Sequence, residues 1–231
     1  MLQAVYSVYD RARRPLRNHH YMVFADAGVA YARIPGMPNR IASRGLRALA
    51  SGCADPDTLA DATWIDEVEL LTARELIRRY PAAFVFAIVQ DPAERIADCY
   101  RDLIACEAPL PTFYSRRGFD KTMDLDAFVE RICLIGDLRA ENHFRSQANI
   151  LSYKKRLVPE LVVRAGSLDA DWPALRTAIA DRSGRDVGPA PALGAPAEDG
   201  LVERLRAGHL FSRLLRRYHN DYRTFFDAKP E

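Results

Sequence analysis

The chain reads as an α/β protein, a parallel sheet flanked by helices in three layers, and three observations predict it. Short apolar runs rich in β-branched and aromatic residues, Phe84–Val89 above all, alternate with stretches of helical periodicity. Helix-start signals sit where such folds need them: Asp91-Pro92 with Glu94 directly after Phe84–Val89, and Thr72 with Glu75 three residues on. The 231 residues, 48% hydrophobic and 28% charged, suit one sizeable globular domain spanning 1–231. A strand that feeds straight into a helix N-terminus makes an anion site at the carboxyl edge of the sheet.

The elements follow in order. Residues 6–20 carry Arg11, Arg13, Arg14, Arg17, His19 and His20, which read as a solvated basic lead-in or as a substrate-docking arm. Tyr21–Ala25 and Val29–Ile34, split by Asp26-Ala27-Gly28, predict a hairpin or strand pair. The Leu46, Arg47, Leu49 pattern is helical, Asp55–Asp61 is a loop, and Ala62–Val68 includes a short strand. Thr72 opens a helix reaching Tyr80. After the central strand, Ile96, Cys99, Tyr100 and Leu103 form the buried helix face, and Arg95, Asp98, Arg101 and Asp102 point elsewhere. Glu107–Thr122 is looser, with Pro109 and Pro111; Asp124 caps a helix that Gly136 ends. Leu161–Arg164 is another buried strand, followed by a helix toward Asp181 with Trp172 in the core. Residues 184–200, dense in Pro, Ala and Gly, read as a mobile loop, and Leu201–Tyr222 as one last helix.

Composition also excludes functions. A net charge of +2 is far from the dense basic character of a dedicated nucleic-acid binder. No apolar run approaches the roughly 20 residues of a membrane span, and the N-terminal apolar stretch is short for a signal peptide, so a cytoplasmic protein without an integral membrane segment is expected. Cys53, Cys99, Cys106 and Cys133 show no metal-ligand spacing and read as reduced thiols, and no metal is expected. There is no G-x-x-x-x-G-K-[ST] triphosphate loop.

Three of the resembling segments bear on the candidate site. VQDPAERIADCYR, residues 89–101, resembles the V-R-D-P-x-x-R-x-x-S-x-Y-R segment of the carbohydrate sulfotransferases, with Val89, Asp91, Pro92, Arg95, Tyr100 and Arg101 matching. Gln90 stands where that family has an arginine and Asp98 where it has a serine, the pair that holds the 3′-phosphate of 3′-phosphoadenosine 5′-phosphosulfate (PAPS). The stretch from Ile34-Pro35 to Leu49 resembles the family's strand, I-P-K turn and helix that cradle the 5′-phosphosulfate. Ungapped, Gly36 replaces the lysine; with a four-residue insertion after Pro35, which the Ala42-Ser43 pair favours, Arg40 takes its place and Ser43, Arg44 and Gly45 follow. Glu141–Gln147 resembles the family's H-W-x-x-Q, with His143, Phe144 and Gln147 matching, and the Tyr218-x-x-Asp221-Tyr222 ending is also similar.

The resemblance implies a sulfotransferase-like, P-loop-like fold and PAPS as co-substrate. It implies Arg40 at the leaving oxygen, Ser43, Arg44 and Gly45 at the phosphosulfate, and Gln90, Arg95 and Asp98 facing the 3′ side. His143 becomes the candidate base, with Tyr114, Arg116, Arg117 and Gln147 near a carbohydrate or small-molecule hydroxyl acceptor. A structural role for His143 and Gln147, and a non-catalytic binding or scaffold protein on the same fold, are the alternatives.

Overall fold

A computed structural model describes residues 16–36, 40–51, 68–190 and 200–226 and, within 40–51, the side chains of 45–50. Arg11, Arg13, Arg14, the loop Asp55–Asp61, residues 62–67 and 191–199, and the side chains of Arg40, Ser43 and Arg44 lie outside the described residues.

The main sheet has five strands: β1 (Tyr21–Phe24), β2 (Val29–Ala32), β3 (Glu69–Leu71), β4 (Phe84–Val89) and, after a two-stranded ribbon of β5 (Ser152–Tyr153) and β6 (Arg156–Leu157), β7 (Leu161–Arg164). Their order is β3-β1-β2-β4-β7. The sheet is mixed, not parallel as the sequence predicts. β2, β4 and β7 run parallel, and β1 lies antiparallel to both β2 and β3. The cause is local: only a short turn, Ala25–Ala27 closed by Gly28 at φ +63°, joins β1 to β2, and a parallel pair needs a long crossover.

Helices cover the sheet: α1 (Arg40–Ser51), α2 (Ala73–Arg79), α3 (Pro92–Tyr100) with a π turn over Arg101–Ala105, α4 (Thr112–Ser115), α5 (Leu125–Leu134), α6 (Gln147–Leu151) and α7 (Leu168–Ser183). Their caps are the ones the sequence signals. Thr72 and Glu75 make a reciprocal capping box on α2, Asp91 accepts from Ala93 and Glu94 N–H at α3, and Asp124 accepts from Ala127 N–H at α5.

The expected final helix is three: α8 (Leu201–Ala207), α9 (Phe211–Arg217) and α10 (His219–Phe225). Gly208 takes an extended conformation after α8, and Tyr218 leaves helical geometry between α9 and α10. Each piece can therefore turn its own leucines or tyrosines, Leu205, Leu214, Tyr218 and Tyr222, into the core beneath α3 and α5. A second core joins the sheet to α1 and α7 through Leu46, Leu49, Leu168, Trp172 and Leu175. Among the described residues no helix is long and apolar enough to cross a membrane.

Candidate functional site

The carboxyl ends of β2, β4 and β7 share one edge of the sheet, and a single arginine ties the loops there together. Arg95, in the second turn of α3, is the largest fully buried side chain, 1% exposed, and not the outward-pointing residue its polarity predicts. Its Nη1 donates to Arg145 O at 2.7 Å, and its Nη2 to Pro35 O at 3.1 Å and Asn142 O at 3.0 Å. Pro35 lies in the loop after β2, and Asn142 and Arg145 bracket the turn that bears His143. All three resembling segments thus meet on this guanidinium. With its Nη donors on carbonyls, Arg95 clamps these loops, and its buried Nε has no hydrogen-bond partner.

Gly36 is the loop's contact point. At φ +83°, its added Cβ would stand 3.2 Å from both Cys99 Sγ and His143 Cδ2, so a lysine there would strain the backbone and crowd both neighbours. Tyr114, also buried, places its hydroxyl 2.7 Å from His143 Nδ1. Burial first, then Arg95 and Arg33, depress His143 to about 4, so the ring is neutral at pH 7. Burial drives Tyr114 strongly upward, so it stays a phenol. Which group donates depends on the histidine tautomer; where the phenol donates to Nδ1, the imidazole proton sits on Nε2. Arg33, missed by sequence reasoning, follows β2, and its buried Nε has no hydrogen-bond partner.

Behind it, His20 is buried among Arg145, Arg33, Arg17 and His19, and burial with these charges lowers it to about 3. Both histidines titrate near 6.5 when unfolded, so the unfolded chain takes up protons first as pH falls, and stability is lost below pH 6.5. At about 1.4 kcal/mol per unit for each ring, the loss by about pH 4.5 is expected to be on the order of 3–5 kcal/mol. Urea unfolding across that range checks it, and His143→Gln should remove roughly half of the histidine-dependent slope.

At the end of β4, Gln90 Nε2 donates to Asp98 Oδ2 at 2.7 Å, and Arg101 Nη1 lies 2.5 Å from Asp98 Oδ1. The two positions that depart from the family pattern are therefore in direct contact. Gln90 Oε1 is buried without a donor. The Gln147 amide, expected near the acceptor, is fully buried, accepting from Gln90 N–H at 3.0 Å and donating to Gln90 O at 2.7 Å, which extends the β4 backbone pairing. Asp221 was legible only as part of the C-terminal resemblance. It is 0% exposed and takes Ser146 Oγ at 2.5 Å, Gln147 N–H at 2.9 Å and Ala148 N–H at 2.8 Å, capping α6.

The remaining candidates scatter. Gly45 lies inside α1, where an added Cβ would meet Val187 at 3.4 Å and Trp172 at 3.5 Å, so it packs α1 on α7 and does not cradle a ligand. Arg116 is exposed. Arg117 pairs with Glu141 at 3.5 Å, donates to Arg139 O, and lines a groove of about 630 Å³ with Arg131, Leu134 and Leu138. Cys99, pushed up to about 12 by burial, is an inert thiol. No group of three metal-ligating side chains occurs among the described residues.

No family model, curated protein or solved structure matches this chain.

Proposed function

We propose that the chain is a sulfotransferase-like enzyme, on a single sulfotransferase-like domain, that moves a sulfuryl group from an adenosine phosphosulfate to a hydroxyl of a carbohydrate or small molecule. The observation that carries this is the Arg95 clamp. It gathers the loop after β2, the helix after β4 and the His143 turn, three stretches that resemble one family's donor and acceptor segments, onto one edge of the sheet. Sulfuryl transfer breaks one S–O bond as another forms and depends on positioning and charge neutralisation, so it needs no covalent intermediate on the protein. Arg33 supplies a guanidinium without a described partner at that edge.

The donor that fits is one with a free 3′-hydroxyl, not PAPS. A phosphate beside the Asp98 carboxylate is repelled, whereas the orphaned Gln90 Oε1 is an acceptor that a ribose hydroxyl satisfies. His143 is also recast. Arg95 and Arg33 oppose an imidazolium, which makes the ring a weak base but a good neutral donor, so Nε2–H is assigned to a sulfuryl oxygen. Nitrogen-15 NMR is expected to show the Nε2–H tautomer at pH 7, and Tyr114→Phe is expected to mix the tautomers without unfolding the protein. A dominant Nδ1–H form in the wild type would remove this role.

The function is tested by incubating the protein with adenosine 5′-[³⁵S]phosphosulfate, or with labelled PAPS, and a panel of sugars and oligosaccharides. Label in an acceptor, lost in Arg33→Met, is the expected result. Transfer from neither donor to any acceptor would favour the non-catalytic binding protein.

A further inference from the structure

We propose that Cys106 and Lys121 form a peroxide-responsive modification site, at which oxidation of the thiol ends in a sulfenamide bond between Cys106 Sγ and Lys121 Nζ. This does not rest on the sulfotransferase reading. Cys106 follows the π turn after α3 and is half-buried, so a small oxidant reaches it. Lys121 Nζ lies 3.3 Å from its sulfur. The nitrogen is held there by the carbonyls of Ile104, at 3.2 Å, and of Cys106 itself, and no carboxylate pairs with Lys121 among the described residues. Nζ donates to both carbonyls and to Cys106 Sγ, which fixes the nitrogen against the sulfur, while the thiol donates to Asp102 O at 2.9 Å. The other described thiols lack such a neighbour: burial holds Cys99 up to about 12 and raises Cys133.

The oxidant is hydrogen peroxide. The Cys106 thiolate attacks one peroxide oxygen, an S–O bond forms as the O–O bond breaks, and water leaves a sulfenic acid. Unprotonated Lys121 then attacks sulfur, the S–N bond forms, the S–O bond breaks, and the hydroxide departs as water with the proton from nitrogen. Each partner loses one hydrogen overall, and a thiol reductant reverses the bond. The bond would close residues 107–120 into a covalent loop. That loop carries Tyr114, which holds His143, and Phe119, which stacks on Phe144.

The test treats the full chain with hydrogen peroxide at about pH 8.5 and follows intact mass and peptide maps. The wild type is expected to lose two hydrogens, to yield the Cys106 and Lys121 peptides joined, and to recover with dithiothreitol. Lys121→Arg keeps the cation but lacks the primary amine. It is expected to show about tenfold less of this product and to gain oxygen at Cys106 instead, because the positioned nucleophile is gone. A disulfide gives the same mass change but survives in Lys121→Arg, so persistence of the two-hydrogen loss there would overturn the proposal. So would oxygen addition at Cys106 in the wild type with Lys121 still cleaved by trypsin.

Discussion

Replacing Arg95 by methionine is expected to lower the unfolding free energy by about 3–5 kcal/mol, because the substitution keeps bulk but strips donors from buried carbonyls. Pro35, Asn142 and Arg145 each lose the Nη contact they have. These carbonyls belong to two loops, Pro35 to one and Asn142 and Arg145 to the other, so the loss also frees the loop after β2 from the His143 turn. Arg95→Lys keeps the charge on a single nitrogen that cannot span three acceptors, and should recover less than half of the loss. Urea denaturation measures both. A methionine variant within about 1 kcal/mol of wild type would mean that the loops are held by something other than this guanidinium.

Asp221→Asn is the second large effect. The wild-type carboxylate oxygens accept from Ser146, Gln147 and Ala148, whereas an asparagine amide turns an NH₂ toward one of these donors. A donor-to-donor contact in a site with no solvent access is expected to cost about 2–4 kcal/mol. The damage should be directional. α6 keeps its Ser146 cap on Asn149 N–H but loses an acceptor for its first-turn N–H groups, and Gln147, whose side chain borders β4, loses its anchor at the same point. Hydrogen exchange at residues 146–150 should accelerate more than exchange in β1 and β2. Equal acceleration throughout the chain would indicate global destabilisation only.

Local signals made much of this architecture legible. The run Phe84–Val89 with Asp91-Pro92, the Thr72–Glu75 box and the Asp124 cap state their elements within a few residues, and the structure places them accordingly. What was not legible depends on distant partners. Arg95 reads as an exposed helix position because an arginine's usual place is the surface, and its carbonyl acceptors lie in segments remote in sequence. The β5–β6 ribbon escaped because Lys154 and Lys155, at φ 50° and 66°, make a turn that usually announces itself with Asn-Gly. Leu201–Tyr222 kept helical periodicity across Gly208, whose break is a backbone event that the leucine spacing does not record. At the site, His143, Gln90 and Asp98 were found from their motif positions. Their contacts, to Tyr114 and to one another, depend on partners that the motif positions do not record.

Under the proposed function, the carboxyl edge binds an adenosine phosphosulfate through Gln90 and Asp98 on its ribose side. The most direct measurement is isothermal titration of adenosine 5′-phosphosulfate and of 3′-phosphoadenosine 5′-phosphate into the wild type and into Gln90→Arg/Asp98→Ser. The wild type is expected to bind the ligand without a 3′-phosphate more tightly, and the double variant to reverse that preference by about tenfold or more, as a guanidinium replaces the amide at 90 and a hydroxyl replaces the carboxylate at 98 beside the phosphate. Binding of neither ligand by a folded wild type, or a preference that the double variant leaves unchanged, would contradict it.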